Sequence, residues 1–419
     1  MGEVRVTGYQ NVRAGLLDRS LTRSHDRERY ETGNILDGVV LVLHGQPHAD
    51  RRRYENPLVR RRPLEHYESV VFPTTIGRTL PRMIAADGTL DLVEFGGYCS
   101  VVVASRIAGI DLEDGDIGRA SQLFRLVRVF SQGVSILDAL DEGPEEIKAR
   151  VQSALREFER DFYADSRARR VDLLDHAGND SDAEEKLPRD LLTNLLRHQH
   201  ELDMDDATIL RETAFFVGAG SHTNSQNVPN SIHLILEWCE SHPSDEQRLT
   251  TDRPFVQRCV HEAIRLRPTT PVIKRWALAD GQIGDQEIRE GDCVALDILS
   301  ANTDPSVYGQ LSDVFDPLRE VPEDVPRYGV SFGGGMHSCL GKTVAGGELP
   351  RGDAEERDNY LFGLVTLMVE ALVQAGVRSH PHRVPTPNTR STRWAQWSDY
   401  PVRMEGPRSP KGSTIGHVE

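Results

Sequence analysis

The stretch Phe332-Gly-Gly-Gly-Met-His-Ser-Cys-Leu-Gly341 decides how the rest of the chain is interpreted. Its glycines permit a tight loop, and the loop presents one thiol, Cys339, where a helix is expected to begin. Backbone N–H groups and the positive end of a helix dipole lower the pKa of such a thiol and stabilise its thiolate. A thiolate held in this way suits a single bond to a metal ion. The alternative is a structural glycine loop around a cysteine that is buried for packing alone.

The whole string resembles the cysteine-loop signature of the cytochrome P-450 family, F-G-x-G-x-H-x-C-x-G. Six fixed positions agree, which makes chance agreement improbable: Phe332, Gly333, Gly335, His337, Cys339 and Gly341. Ala345 and Glu348 continue the match into the next helix. The resemblance implies that Cys339 is the axial ligand of a haem b iron. It also implies that the cofactor is bound by residues of this segment, namely Phe332, Gly333, His337, Gly341 and Ala345.

A second segment, Glu262-Ala-Ile-Arg265, resembles the E-x-x-R pair of the same family. Positions i and i+3 share a helix face, so the carboxylate and the guanidinium can form an ion pair. In the family this pair braces the cysteine loop together with a further arginine, and Arg319 is expected to be that third member. Such a pair by itself is a common surface salt bridge, but its position before Arg267-Pro268 favours the brace.

A third segment, Ala219-Gly-Ser-His-Thr223, resembles the oxygen-binding helix, A-G-x-[D/E]-T. The resemblance implies that Ala219 and Gly220 let haem and dioxygen approach the backbone, and that the Thr223 hydroxyl bonds the distal oxygen. His222 stands where the family has an acid that helps to deliver protons. Imidazole can shuttle protons near neutral pH, since its ordinary pKa is ~6.5. Alternatively, the His222 ring only packs against its neighbours, and water and Thr223 deliver the protons without it.

A fourth segment, His48-Ala-Asp-Arg-Arg52, resembles the H-x-x-x-R element that holds a haem propionate. The resemblance implies two further propionate partners, Arg275 and His337. The neighbouring arginines are expected either on a solvated helix face or on the face that meets an acidic electron donor: Arg51 and Arg53.

The resemblance covers about residues 44 to 404 and implies a mainly α fold with a small β region (α+β), with haem between the Thr223 helix and the Cys339 loop. Asp91–Ile110 is expected to be a buried helix that ends at Gly109. Residues 1–404 are expected to form one catalytic domain, and 405–419 a disordered tail.

Two departures from the family pattern stand out. Only 47 residues precede His48, where relatives carry a longer segment with a helix and the first strands of a small sheet, so part of the substrate entrance is expected to be missing, rebuilt or supplied by a partner. Pro350–Asp358 is a charged insertion, expected either to modify partner docking or to be a passive loop.

Composition narrows the class of protein. The net charge of −16 over 419 residues argues against a nucleic-acid binder, which needs a basic excess. Five cysteines without C-x-x-C spacing fit a reducing compartment rather than a disulfide framework. The N-terminus has no apolar signal-peptide core, and no stretch approaches the ~20 apolar residues of a membrane span. The expectation is a cytoplasmic protein without a membrane anchor.

The family resemblance implies a bacterial-type monooxygenase of secondary metabolism. It would insert one oxygen atom from O2 into a lipophilic small molecule, with NAD(P)H-derived electrons delivered by a ferredoxin and its reductase. The substrate is expected to face Val272, Ile273, Gly218 and residues near Trp397. Two alternatives stay open. One is haem-thiolate chemistry of another kind, such as peroxide-driven oxidation, coupling or rearrangement, and the other is a non-catalytic haem sensor.

Overall fold

The computed structural model describes residues 3–23, 34–136, 142–178, 180–349, 360–389 and 395–406. Within these residues the helices up to position 184 are α1 Tyr9–Leu17, α2 Gly45–Glu55, α3 Arg61–His66, α4 Phe72–Met83, α5 Leu92–Ala108, α6 Ile117–Val134, α7 Pro144–Phe158, α8 Ala164–Ala177 and α9 Ser181–Glu184. They are followed by α10 Leu191–Arg197, α11 Asp206–Ser241, α12 Asp245–Thr251, α13 Arg253–Leu266, α14 Ile298–Asn302, α15 Pro305–Tyr308, α16 Lys342–Gly346 and α17 Gly363–Gln374. Short 3₁₀ turns (Val40–Val42, Asn56–Val59, Gly335–His337) and π turns (Tyr67–Val71, Glu159–Tyr163) join or extend them.

The strands are short: β1 Glu3–Val6, β2 Leu21–Thr22, β3 Thr89–Asp91, β4 Val272–Ala277, β5 Gly281–Ile283, β6 Gln286–Ile288, β7 Cys293–Asp297, β8 Val377–Ser379, β9 Thr386–Pro387, β10 Trp397–Asp399 and β11 Pro401–Met404. The largest sheet has the order β1-β7-β4-β2, with β1 parallel to β7 and β4 antiparallel to it. A three-stranded sheet, β3-β11-β8, and the two hairpins β5-β6 and β9-β10 complete the β region. The expected mainly α architecture with a small β region is confirmed.

Helix α11 is the central element of the helical part. The Asp205 side chain caps its N-terminus by accepting the Thr208 N–H at 2.7 Å, which satisfies one of the free amides of the first turn. The helix runs for 36 residues without a break at Gly220 or Pro229. A Cβ built on Gly220 would lie 3.1 Å from the Cβ of Ala104. Close packing of α11 against α5 is therefore an independent reason for a glycine at this position.

Helix α5 has the limits that its sequence predicts. The Asp91 carboxylate accepts N–H bonds from Val93 and Glu94, at 2.8 and 3.2 Å. The helix ends at Gly109, whose φ of 85° is in the left-handed region, where a glycine carries no Cβ penalty. Almost every residue between the two ends is buried, so α5 is a core helix. Among the described helices, none is long and apolar enough to cross a bilayer.

The segment before His48 is short but contributes to the largest sheet. It supplies two of the four strands of the largest sheet, because β1 pairs with β7 (Val4 opposite Val294) and β2 pairs with β4 (Leu21 opposite Ala277). First strands of this sheet are therefore present in the short segment.

The charged insertion Pro350–Asp358 lies outside the described residues, as do residues 407–419 of the expected tail. The chain on either side of the insertion is joined by an antiparallel bridge, Glu348 to Leu361. Gly347 and Gly363 flank this bridge, and both have positive φ, 72° and 80°. A Cβ on Gly363 would lie 2.4 Å from the Gly347 nitrogen. Glycine is needed at this crossing because the two backbones pass so closely.

Candidate active site

The cysteine loop is held by its own backbone. The Phe332 carbonyl accepts the Cys339 N–H at 2.9 Å, and the Gly335 carbonyl accepts the Ser338 N–H at 3.2 Å. The φ angle of Gly335 is 62°, and a Cβ there would lie 2.6 Å from the Leu16 carbonyl oxygen of α1. A larger residue would therefore strain the loop and push α1 away. The glycines in this segment set the direction in which the thiol is presented.

The Cys339 thiol is exposed and free, although many protein atoms surround its sulfur. This desolvation raises the pKa of the thiol, whereas the N–H groups of Gly341 and Lys342 and the positive charge of Arg52 act to lower it. The two amides belong to the first turn of α16, as the sequence predicts. They are donors in place to stabilise a sulfur that becomes negative, and a bound metal ion itself deprotonates a coordinating thiol.

Basic side chains gather beside the loop. The ring centroids of His48 and His337 are 4.6 Å apart. Burial lowers the pKa of His337 to about 2, and the nearby positive charges of Arg275 and His48 add to the effect. Burial also lowers the pKa of His48 to about 4. His337 Nε2 and His44 Nδ1 are buried and make no hydrogen bond to any described residue. A carboxylate-bearing cofactor would supply the acceptors that such a group needs.

His44 was not predicted from the sequence. It precedes α2 as its N-cap residue, and its charge is among those that lower the pKa of both His48 and His337. The available signal was a second histidine four positions before His48, immediately ahead of the helix.

Helix α2 joins the cysteine loop to α11. Arg52 Nη2 donates to the Ser338 carbonyl at 3.0 Å. Arg51, which was expected to be solvated or to face an electron donor, instead forms a buried ion pair with Glu212 of α11, so both of those interpretations are wrong for it. Arg53 is solvated as expected, with its side chain 66% exposed beside Glu201. The helical period explains the difference, because Arg51 lies on the buried face of α2 and Arg53 does not.

The oxygen-helix motif forms a continuous part of α11. Ala219 and Gly220 are exposed although they lie in the middle of this central helix. The Thr223 hydroxyl donates to the Ala219 carbonyl at 3.0 Å, which is a common local bond for a threonine inside a helix. A hydroxyl that donates there still has acceptor lone pairs.

The two ring nitrogens of His222 are buried and make no hydrogen bond that meets normal geometry within the described ranges. Burial lowers the pKa of His222 to about 4, and the positive charge of Arg128 acts in the same direction. The side-chain amide of Gln396 acts in the opposite direction, as a hydrogen-bond partner of the charged ring. At neutral pH this imidazole is therefore uncharged.

The predicted brace is present and fully buried. Glu262 binds Arg265 through two bonds, Arg265 Nε to Oε2 at 2.8 Å and Nη2 to Oε1 at 2.6 Å. Arg319 Nε reaches the same Oε1 at 3.2 Å. Arg265 Nη1 donates to the Asn302 carbonyl. Asn302 in turn accepts the Val330 N–H at 2.8 Å, so the brace is connected to the chain that leads into the cysteine loop.

Taken together, these residues suit a haem held by one thiolate. The thiol is accessible and has two amide donors, and the basic groups beside it are the kind that bind propionate carboxylates. No described group of three or more His, Cys, Asp or Glu side chains could hold a metal ion by itself. One thiolate is enough when a porphyrin supplies the other ligands. Of the predicted cofactor residues, Ala345 is buried inside α16, where its N–H bonds the Gly341 carbonyl at 2.9 Å.

Known proteins resemble this chain in sequence. The family model described as Cytochrome P450 matches residues 122–350. The putative cytochrome P450 YjiB of Bacillus subtilis is 33% identical over 127 residues, which are 30% of each chain. The C-19 steroid 1alpha-hydroxylase of Sorangium cellulosum is 24% identical over 360 residues, 82% of each chain. For the first two of the curated relatives, the aligned part covers 30% and 38% of the relative's length.

Solved structures share the fold. The crystal structure of CalO2 is 22% identical, with a TM-score of 0.73 over 97% of this chain and 91% of that one. P450BioI, crystallised with hexadec-9Z-enoic acid ligated acyl carrier protein, is 19% identical, with a TM-score of 0.69 over 96% and 92%. CYP109E1 of Bacillus megaterium, in complex with testosterone, has a TM-score of 0.70 at 18% identity over 96% and 92%. At such identities the likeness is one of fold.

Proposed function

This chain belongs to the cytochrome P450 family, and on that premise we propose that it is a haem-thiolate monooxygenase with one catalytic domain over residues 1–404. The observation that carries the proposal is the exposed Cys339 thiol. The N–H groups of Gly341 and Lys342 and the charge of Arg52 act to lower its pKa, and the buried side chains of His48 and Arg275 lie near the loop. Haem b, when bound, would supply the iron at which dioxygen is activated.

Each residue of the site then has a specific role. Cys339 would ligate the iron, with its negative charge stabilised by the amide donors of α16 and by Arg52. The basic groups around the loop would hold the propionates: His48, Arg52, Arg275, His337 and the newly found His44. Burial and neighbouring positive charges disfavour the protonated forms of His48 and His337, and two anionic carboxylates would offset that positive charge and accept hydrogen bonds. Haem binding should therefore stabilise this part of the fold as well as complete the site.

Thr223 and His222 of α11 would handle protons at the oxygen site. The Thr223 hydroxyl can accept one hydrogen bond while it donates to Ala219. The uncharged His222 ring carries one N–H donor and one acceptor nitrogen, so it can pass a proton on without first holding a positive charge. His222→Ala should raise the amount of peroxide released per NAD(P)H consumed. A ratio equal to that of the wild type would show that Thr223 and water work alone.

We also propose a ferredoxin as the electron donor. The chain is strongly acidic overall, with a net charge of −16, yet exposed arginines follow one another from the last turn of α2 into the segment after it: Arg53, Arg60, Arg61 and Arg62. This segment is continuous with the helix whose Arg52 contacts the cysteine loop. A local basic surface on an acidic protein favours an acidic partner. The reductase, NAD(P)H and a cytoplasmic location belong to the same proposal.

The proposed substrate is a lipophilic small molecule. This class is supported by the names of relatives, which include a steroid 1alpha-hydroxylase and a cyclooctat-9-en-7-ol 5-monooxygenase. A structural neighbour was also crystallised with testosterone.

The experiment that tests the proposal is the absorption spectrum of the dithionite-reduced protein under carbon monoxide. Wild type should show the strongly red-shifted Soret band of thiolate-ligated haem, and Cys339→Ser should lose it. Cys239→Ser, at a cysteine on the far part of α11, is the matched control and should keep the band. A wild type that binds no haem, or binds it without this band, would overturn the proposal. If wild type shows the band, NAD(P)H consumption that increases when a lipophilic compound is added would distinguish an enzyme from a haem sensor.

A further inference from the structure

Helix α16 follows the Cys339 loop, and it is only five residues long. Gly347, whose φ is 72°, ends the helix and turns the chain into the antiparallel bridge between Glu348 and Leu361. Short helices make few hydrogen bonds of their own and are marginal without contacts from outside. The carbonyl groups at the end of α16 also need donors from another part of the chain.

The donors come from α13, the helix that also carries Glu262 and Arg265. His261 Nε2 lies 2.6 Å from the Gly346 carbonyl oxygen, and Gln257 Nε2 donates to the same oxygen at 3.1 Å. Both side chains are buried. A carbonyl oxygen can only accept, so His261 carries a hydrogen on Nε2. We call these two residues, His261 and Gln257, the α13 clasp.

The hydrogen bond to Gly346 is what orients the His261 ring. The other ring nitrogen, Nδ1, is buried and has no hydrogen-bond partner among the described residues. Burial lowers the pKa of His261 to about 4, so the ring is uncharged at neutral pH and needs no counter-ion. Gln257 differs, because its Nε2 also donates to the Leu361 carbonyl at 2.9 Å. A change at His261 therefore tests the cap on α16 by itself.

The His261 ring also contacts the chain that enters the cysteine loop. Its centroid lies 5.2 Å from that of Tyr328, edge to face, and the Tyr328 centroid lies 4.8 Å from that of Phe332. A Cβ built on Gly346 would lie 3.5 Å from the Phe332 ring and 3.6 Å from His261 Nε2. The Phe332 carbonyl in turn accepts the Cys339 N–H at 2.9 Å. The segments before and after the thiol thus meet beside His261.

We propose that His261 is a positioning residue for the thiolate: its Nε2–H bond to Gly346 fixes the direction of α16, and thereby the direction in which Cys339 presents its sulfur. The brace acts on the chain before the loop, through Asn302, whereas the α13 clasp acts on the helix after it. This inference rests on the proposed function, because it concerns the thiolate that would ligate the iron.

Two variants of the haem-loaded full chain separate the hydrogen bond from the ring. His261→Phe keeps an aromatic ring beside Tyr328 and removes the donor, whereas His261→Gln keeps an N–H donor and removes the ring. The first readout is the reduced carbon monoxide complex, in which the fraction without the red-shifted Soret band reports lost thiolate ligation. We expect this fraction to rise about fivefold in His261→Phe, the size of effect that one lost hydrogen bond has. In His261→Gln it should stay near the wild-type value.

The second readout does not need haem. It is the rate at which iodoacetamide alkylates Cys339 in the full chain, followed by mass spectrometry. His261→Phe should raise this rate, because a loop whose direction is less fixed exposes its sulfur more often. The buried thiols of Cys99 and Cys259 serve as internal references, since they react faster only if the whole fold opens.

The matched control is His380→Leu, at a histidine beside the three-stranded sheet whose Nε2 bonds the Thr89 hydroxyl at 3.1 Å. It should leave both readouts unchanged. If His261→Phe does not fold, Gln257→Leu takes its place. That variant removes the second donor to the Gly346 carbonyl, and it should move both readouts in the same directions.

The inference is overturned if the folded variant without the donor matches the wild type in both readouts. It is equally overturned if His261→Gln is changed as much as His261→Phe, because packing of the ring would then explain the effect. Failure of the proposed function gives a different result: the wild type itself would show no red-shifted band. In that case the alkylation rate of Cys339 in the two His261 variants still decides whether the bond to Gly346 holds the loop.

Discussion

Two buried ionic clusters lie close to the cysteine loop, and they are built differently. In the brace, Glu262 is bound by Arg265 and Arg319 and also accepts the Asp316 N–H at 3.2 Å. Arg319 donates its other N–H groups to carbonyls, including that of Tyr308 at 2.6 Å. The brace sets two cations against one carboxylate, and each of the hydrogen-bonding groups of the three side chains has a partner. A network of this kind holds one geometry and is strongly destabilised when one member is removed.

The second cluster joins α2 to α11 and leaves its acids incompletely paired. Arg51 binds Glu212, which also accepts the Val40 N–H at 2.9 Å through the same oxygen. Within the described chain, neither oxygen of the fully buried Glu55 has a hydrogen-bond partner. Burial raises the pKa of Glu55 well above its usual range and that of Glu212 to about 7. The comparison teaches that burial opposes the ionisation of the acids in this cluster, whereas the brace gives each of its hydrogen-bonding groups a partner.

The largest effect should come from removing the arginine at the centre of the brace. Arg265→Met leaves Glu262 short of its main cation and removes the donor to the Asn302 and Ser312 carbonyls. We expect a loss of about 3–5 kcal/mol in the free energy of unfolding, measured by urea denaturation with circular dichroism. Arg61→Met is the control, because Arg61 and Glu65 are 45% and 53% exposed, and it should cost less than about 1 kcal/mol. Equal costs for the two variants would mean that the brace is no stronger than a surface pair.

A smaller, pH-dependent effect should follow from Arg51→Met. The variant removes the cation beside Glu212, and the carboxyl can answer by staying protonated. Protonation is easy at pH 5 and unfavourable at pH 8, so we expect a loss of about 1 kcal/mol at pH 5 and about 3 kcal/mol at pH 8. Urea unfolding at both pH values measures it. The control is Arg53→Met, at the exposed neighbour, which should lower the free energy of unfolding little at either pH. If Arg51→Met lowers it equally at both pH values, Glu212 is charged at pH 5 as well as at pH 8.

The same two clusters show how far the sequence could lead. Glu262 and Arg265 are three positions apart, so a local spacing rule predicted their pairing, and the glycine loop before Cys339 was equally local. Arg51 and Glu212 are 161 positions apart, and no spacing rule joins them. One signal was nevertheless present: residues 48, 51, 52 and 55 recur at the period of a helix and share one face, although each of them is polar.

Other elements were missed for the same reason of distance along the chain. Strand β1 pairs with β7 across about 290 residues, Val4 opposite Val294, so its four residues gave no local sign of a sheet. The bonds between Gln226 and Trp397 span 171 positions. The motifs predicted where the Cys339 loop and the Thr223 helix occur. They did not predict which polar side chains of α11 would bind the C-terminal strands, because only the folded chain brings these segments together.

The smallest effect should come from Glu55→Gln. This variant is expected to raise the free energy of unfolding, whereas the two arginine variants lower it. Because the folded state raises the pKa of Glu55, it binds this proton more tightly than the unfolded chain does. Stability therefore falls as the pH rises above the pKa of about 4.3 that a glutamate has in an unfolded chain. Glutamine has nothing to titrate, so relative to the wild type the variant should gain on the order of 1 kcal/mol more at pH 8 than at pH 5. Thermal unfolding at both pH values measures this, and the exposed Glu65→Gln serves as the control. If Glu55→Gln loses stability at pH 8, then Glu55 is ionised and compensated by Arg51 and Arg52, and the two clusters are more alike than their hydrogen bonds indicate.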